Sequence, residues 1–159
     1  MRQWYKTAAA QGDASAQHTL GLLYANGRGG PQDYVQARQW YEKSAAQGNA
    51  HGQLLLGILY VQGKGVPHDY TKALFWIRLA ADQGLHDAQH FLGLTYEIGT
   101  GVSQDFIQAH KWYTLAGVKG LEISDQDRDA LAKQMIPAQI AEAQQLAREW
   151  TPKTPSAPG

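Results

Sequence analysis

A 36-residue spacing runs through this chain and constrains its fold more than any other feature. Trp4, Trp40, Trp76 and Trp112 fall on it, as do Gly12, Gly48, Gly84 and Gly120. Gly21, Gly57 and Gly93 repeat with the same period, and so do Tyr24, Tyr60 and Tyr96. Asp33, Asp69 and Asp105 and Ala37, Ala73 and Ala109 follow it too. Aligned without gaps, residues 4–39, 40–75 and 76–111 are identical at 12 of 36 positions, where chance gives fewer than about one. Such a chain is a tandem array, in which each unit buries its apolar face against its neighbours.

Each unit reads as two helices. Ala37, Trp40, Tyr41, Ser44 and Ala45 line one face of a 3.6-residue helix, with Asp33 placed as its N-cap and Gly48 as its left-handed stop. Asn49 opens the second helix, whose stripe is Ala50, Leu54, Gly57, Ile58 and Val61, and Gly63-Lys64-Gly65-Val66-Pro67 ends it. Gly21, Gly57 and Gly93 lie mid-helix, where glycine costs about 1 kcal/mol against alanine. Paying that three times points to a close backbone approach filled by a bulky Trp or Tyr of the partner helix. Ala9, Ala45 and Ala81 are the matching small residues. The Trp column is expected to be core.

These residues resemble the Sel1-like repeat, a relative of the tetratricopeptide repeat. Ala37, Trp40, Tyr41, Ala45, Gly48, Leu56, Gly57, Tyr60, Gly63, Gly65, Val66 and Asp69 match its pattern, and residues 4–120 are covered. Gly30 departs from it in place of the loop Val, Ile77 in place of the second aromatic, and Gly52 where Ala16 and Ala88 stand in the other units. The resemblance implies an all-α fold, a right-handed α–α superhelix of helix-turn-helix repeats. It also implies a non-catalytic scaffold or adaptor that docks a protein or peptide in a concave groove. With no cysteine, the disulfide-tied branch of the family is excluded.

The array is expected over residues 1–120, with Met1 starting so close to Trp4 that the first unit reads as truncated. Residues 121–150 are expected as capping helices, one starting at the capped turn Ser124–Asp127 and another with Pro137 at its first position. Residues 151–159, with three prolines, are expected as a disordered tail. A formal net charge of zero speaks against nucleic acid as a partner, and no apolar run reaches the roughly 20 residues of a membrane span. No signal peptide is legible, and the compartment is left open.

Chemistry is sparse. His86 and His90 stand four apart with Asp87 between them, a metal-ligand spacing. Their repeat equivalents are Ala14 and Ala50, and His18 and Leu54, which reads as tolerant surface. His51, His68 and His110 are scattered. Gly27-Arg28-Gly29-Gly30 and Gly63-Lys64-Gly65 lack the P-loop spacing and read as structural turns. No catalytic, metal or cofactor residue is therefore expected. A metal-dependent hydrolase built on His86 and His90, or a purely structural piece of a longer solenoid, are the alternatives. Positions that vary while the frame stays fixed are the candidate partner-binding residues: Arg38, Gln39, Glu42, Phe75, Arg78 and Lys111. Phe75 stands out, since Gln3, Gln39 and Lys111 occupy its equivalents.

Overall fold

Acidic and amide side chains set five of the helix starts, at places that recur with the repeat. Asp13, Asp33, Asn49, Asp69 and Asp105 each accept from the backbone N–H three residues on, at 2.8 to 3.1 Å, satisfying one of the orphan donors of a first turn. Gly48 (φ 86°) follows one helix and Gly63 (φ 66°) stops the next, in the left-handed conformation that favours glycine. The computed structural model describes residues 1–153. Among them run α1 (Arg2–Ala10), α2 (Ala14–Ala25), α3 (Tyr34–Ala46), α4 (Ala50–Gln62), α5 (Tyr70–Asp82), α6 (His86–Ile98), α7 (Phe106–Val118), α8 (Glu122–Ala132) and α9 (Pro137–Glu149). All regular structure in these residues is helical, as expected. The part of the expected tail from residue 154 onward lies outside the described residues; residues 151–153 are exposed and irregular.

The chain forms two units, Met1–Ala80 and Ala81–Lys153 among the described residues. In the first, α2 packs on α1, α3 and α4, and α3 packs on α4. Its core joins Ala37, Tyr41, Ala45, Leu56 and Leu59, beside a smaller cluster of Ala9, Ala16 and Leu20. In the second, α7 packs on α6, α8 and α9. There Leu131, Met135 and Ile140 of the C-terminal segment close over Ala109 and Tyr113 of α7.

The mid-helix glycines are indeed contact points, but Trp fills none of them. A Cβ on Gly21 would strike the ring of Tyr41, and one on Gly93 the ring of Tyr113. On Gly57 it would lie 2.5 Å from Ile77 Cγ1. The filler is the residue after each Trp, Tyr or Ile. The Trp column as core is thereby corrected: only Trp112 is buried, Trp40 and Trp76 are half-buried, and Trp4 is 69% exposed. Trp40 leans on the Ala9–Ala16–Leu20 cluster of the helices before it, whereas Trp4 meets Tyr5 edge-on with ring centroids 4.7 Å apart. The second-helix stripe also shifts. Gly52, Gln53, Leu54, Leu56, Gly57 and Leu59 are buried, while Ala50, Ile58 and Val61 are half-buried, because α4 is packed on more than one side.

At the C-terminal end, α8 begins at Glu122, not at a cap on Ser124. Ser124 lies inside the helix, fully buried. Pro137 does take the first position of α9, where Ile136 N–H donates to Gln139 Oε1 at 3.1 Å.

Gly52 is explained by Ser44. The other repeats carry alanine at both places, Ala8 with Ala16 and Ala80 with Ala88. In the middle repeat the buried Ser44 hydroxyl donates to Ala14 O at 2.8 Å, and a Cβ on Gly52 would lie 2.5 Å from Ser44 Oγ. Gly52→Ala is therefore expected to lower the unfolding free energy by about 1–3 kcal/mol through overpacking. Adding Ser44→Ala is expected to recover part of that loss, and urea denaturation of the four proteins in this cycle measures the coupling.

Candidate functional site

The expected partner-binding residues divide into those the fold uses and those it leaves to solvent. Arg38, on α3, is half-buried; its Nε donates to Gly65 O at 3.1 Å and its Nη1 pairs with Glu42 Oε1 at 2.8 Å. Arg38 and Glu42 thus hold each other and the following loop. Gln39 is exposed. On α5, Phe75 is 58% exposed, resting edge-on against Trp76 with ring centroids 5.1 Å apart. Arg78, one turn further along the same helix, is also exposed. In the second unit Lys111, on α7, holds its ammonium 4.3 Å from the Trp112 ring centroid, a cation–π contact.

Sequence reasoning missed Arg2, the repeat equivalent of Arg38. It is 8% exposed, and its guanidinium is held in place by backbone carbonyls. Nε donates to Arg28 O at 2.7 Å, and Nη2 reaches Leu23 O, Gly30 O and Pro31 O at 3.1, 3.0 and 2.7 Å. The guanidinium also lies 4.3 Å over the Tyr24 ring. The loop at Gly27–Pro31 therefore converges carbonyls on a cation, the opposite polarity to a phosphate cradle. It explains Gly30 as well, because a Cβ there would strike the Arg2 guanidinium. The available signal was the shared repeat position of Arg2 and Arg38, together with glycine where Val66 and Val102 stand.

A second missed set is Gln17, Gln53 and Gln89, identical in the three units. Each is buried and donates from Nε2 to the carbonyl eight residues earlier, Ala9, Ala45 and Ala81, at 3.1, 3.4 and 3.2 Å. The amide ties the second helix of a hairpin to the end of the first, where last-turn carbonyls lack helical partners.

His86 and His90 engage different partners. His86 lies 3.6 Å from its neighbour Asp87. His90 is not tolerant surface: its Nδ1 meets Ser124 Oγ at 2.6 Å, its Nε2 lies 3.5 Å from Asp127 Oδ2, and its ring tilts against Tyr113. Serine, histidine and aspartate here form a fastening between α6 and α8, since the Ser124 hydroxyl is sealed from any substrate at 0% exposure. No group of three or more potential metal ligands gathers among the described residues. His18 stacks on His51 with ring centroids 5.3 Å apart. Burial first, then the like charge of His51, lowers the pKa of His18, with the Ala14 backbone, Asn49 and Asp13 pulling the other way. Burial, then Arg128, lowers that of His110 against the pull of Asp129.

Paired helices with glycine-notched contacts, capped at fixed places and joined by glycine loops, define a helical-hairpin repeat protein. Its repeats match the family model described as Sel1 repeat at residues 2–13, 14–49, 50–85 and 86–120, and the chain belongs to that family. Its members commonly serve as protein–protein interaction scaffolds, and the fold is typically non-catalytic. The chain is similar to c5321, described as a protective antigen of uropathogenic Escherichia coli strains displaying an SLR fold. The identity is 36% and the TM-score 0.87, over 94% of this chain and 32% of that one. A Sel1 repeat protein from Oxalobacter formigenes is also 36% identical, with TM-score 0.72 over 80% of this chain and 96% of that one. The chain thus spans about a third of the length of c5321. No curated protein matches it. Among the described residues no helix is long and apolar enough to cross a membrane.

Gly30→Val, which restores the family residue, is expected to destabilise by about 1–3 kcal/mol, because it displaces the Arg2 guanidinium from its carbonyls. Urea denaturation and faster amide exchange at residues 27–30 are the readouts. Because the folded chain keeps His18 and His110 neutral to a lower pH than the unfolded chain does, the unfolded state binds more protons below about pH 6.5. Stability is therefore expected to be fully present at pH 7 and above and to fall as the pH drops through the ordinary histidine range. His18→Leu, the residue found at position 54, should flatten that slope in denaturation curves taken across the range.

Proposed function

We propose that this chain is a non-catalytic adaptor whose repeats dock a peptide or protein partner, with the exposed face of α3 and α5 as the docking surface of the first unit. The single observation that carries this reading is Phe75, a large apolar side chain held 58% exposed at a position where other repeats carry Gln or Lys. An aromatic beside an arginine, here Phe75 and Arg78, is the composition of a binding hot spot. Gln39 supplies an exposed polar neighbour for its rim, and Lys111 plays the corresponding part in the second unit. Arg38 and Glu42 act by holding the surface rather than as primary contacts, since they are engaged with each other and Arg38 also with Gly65. In this reading residues 1–120 are the array, and α8 and α9, within 121–150, cap its last hairpin through Leu131, Met135 and Ile140.

Phe75→Ala and Arg78→Glu are each expected to weaken capture of the cellular partner by about tenfold or more, leaving the far-ultraviolet circular dichroism unchanged. Pull-down with the whole chain from its native host, followed by titration of the recovered partner, measures both. Undiminished binding by both variants places the docking surface elsewhere.

A further inference from the structure

The first unit holds a cleft of about 250 Å³ between the C-terminal halves of α2 and α4, floored by α3. Leu22, Leu55 and Ile58 give it apolar walls, and Tyr41, Ala25 and Lys64 complete the part that matters here. No carboxylate lines it. Lys64 brings an ammonium to the rim, 5.0 Å over the Tyr34 ring.

The repeat itself shows what is missing. Tyr41 and Tyr113 are equivalent, two periods apart, and each ring covers the mid-helix glycine of a second helix, Gly21 or Gly93. The Tyr113 hydroxyl donates to the carboxylate of Glu97, one turn beyond Gly93. One turn beyond Gly21 stands Ala25, whose methyl brings no acceptor to Tyr41. The equivalents of Ala25 and Leu55 in the following repeat are the larger Val61 and Phe91, so the small residues that open the cleft belong to this place in the array. A phenol donor, a lysine and apolar walls are thus arranged around the place that a carboxylate occupies in the sister repeat.

We propose that this cleft accepts a glutamate side chain of a partner polypeptide. Its carboxylate accepts from the Tyr41 hydroxyl and the Lys64 ammonium, and its methylenes lie against Leu22, Leu55 and Ile58. The partner thereby supplies in trans what Glu97 supplies in cis. This rests on the adaptor reading and adds a second, chemically defined contact to it, on a surface separate from Phe75.

The test is a titration of the whole isotope-labelled chain with the capped peptide acetyl-Ala-Leu-Glu-Leu-Ala-amide, followed by amide shifts. The same peptide with Gln for Glu, and free glutarate, run in parallel. The Glu peptide is expected to shift Ala25, Tyr41 and Leu55, and the Gln peptide to bind at least about tenfold more weakly. Tyr41→Phe should weaken the Glu peptide about tenfold. Ala25→Glu, which places the carboxylate in cis, should abolish its binding while the melting temperature is kept or raised. Equal response to the Glu and Gln peptides, silence of the cleft residues, response to glutarate alone, or unaltered binding by Tyr41→Phe overturns the proposal. If these peptide results fail while Phe75→Ala still loses the cellular partner, the cleft assignment falls and the adaptor reading stands.

Discussion

The contact on which the repeat depends is a ring or branched side chain laid on bare helix backbone. Tyr41 on Gly21, Ile77 on Gly57 and Tyr113 on Gly93 bring helices of successive hairpins closer than any Cβ would allow. The glycine costs helix propensity, and the burial of a Tyr or Ile offsets it, at about 1.5–3 kcal/mol for a large apolar side chain. The indoles stand one residue away and work differently, Trp40 and Trp76 leaning on the hairpins before them. A Trp in that place can be half exposed without loosening the notch, which is why Trp4 at 69% exposure and Trp112 at 4% belong to one column.

Polar groups finish what the notches begin. Gln17, Gln53 and Gln89 close each hairpin from within, and Arg2 and Arg38 hold the loops by their carbonyls. His90, Ser124 and Asp127 do the same for α8. These ties connect groups that the 36-residue frame brings near one another, so each tie can be retuned without disturbing the frame. A function carried by surface chemistry on a fixed scaffold draws on that separation.

The paired helices of the repeats and the caps at Asp33 and Asn49 were legible in the sequence because they rest on local rules: an Asp or Asn three residues before a bonded N–H, a left-handed glycine after the last turn. The family was legible because its identities are periodic. Which member of a Trp–Tyr pair enters the notch was not legible, since both lie on the apolar face and only interhelical distance separates them. Ser124 misled because a serine before acidic residues has the look of a cap, and its partner His90 is 34 residues away. Gln17, Gln53 and Gln89 repeat as strictly as the tryptophans, yet a glutamine carries no local cue that it will be buried. Of the partner-binding set, the exposure of Phe75 was not decided by the sequence, where packing against a neighbouring helix was equally open, and the engagement of Arg38 depends on a loop 27 residues away.

The exchange of a methyl for a hydroxyl between Ser44 and Gly52 bears on how such an array can grow. A gene duplication that copies residues 40–75 carries both halves of the exchange, and the new hairpin arrives already matched. A breakpoint just before Ala50 sends serine and glycine to different copies. One copy then faces hydroxyl with methyl across a gap built for one of them. Steric compatibility would therefore select where recombination is tolerated, and the inherited unit would be framed by Trp40 rather than by the start of α4.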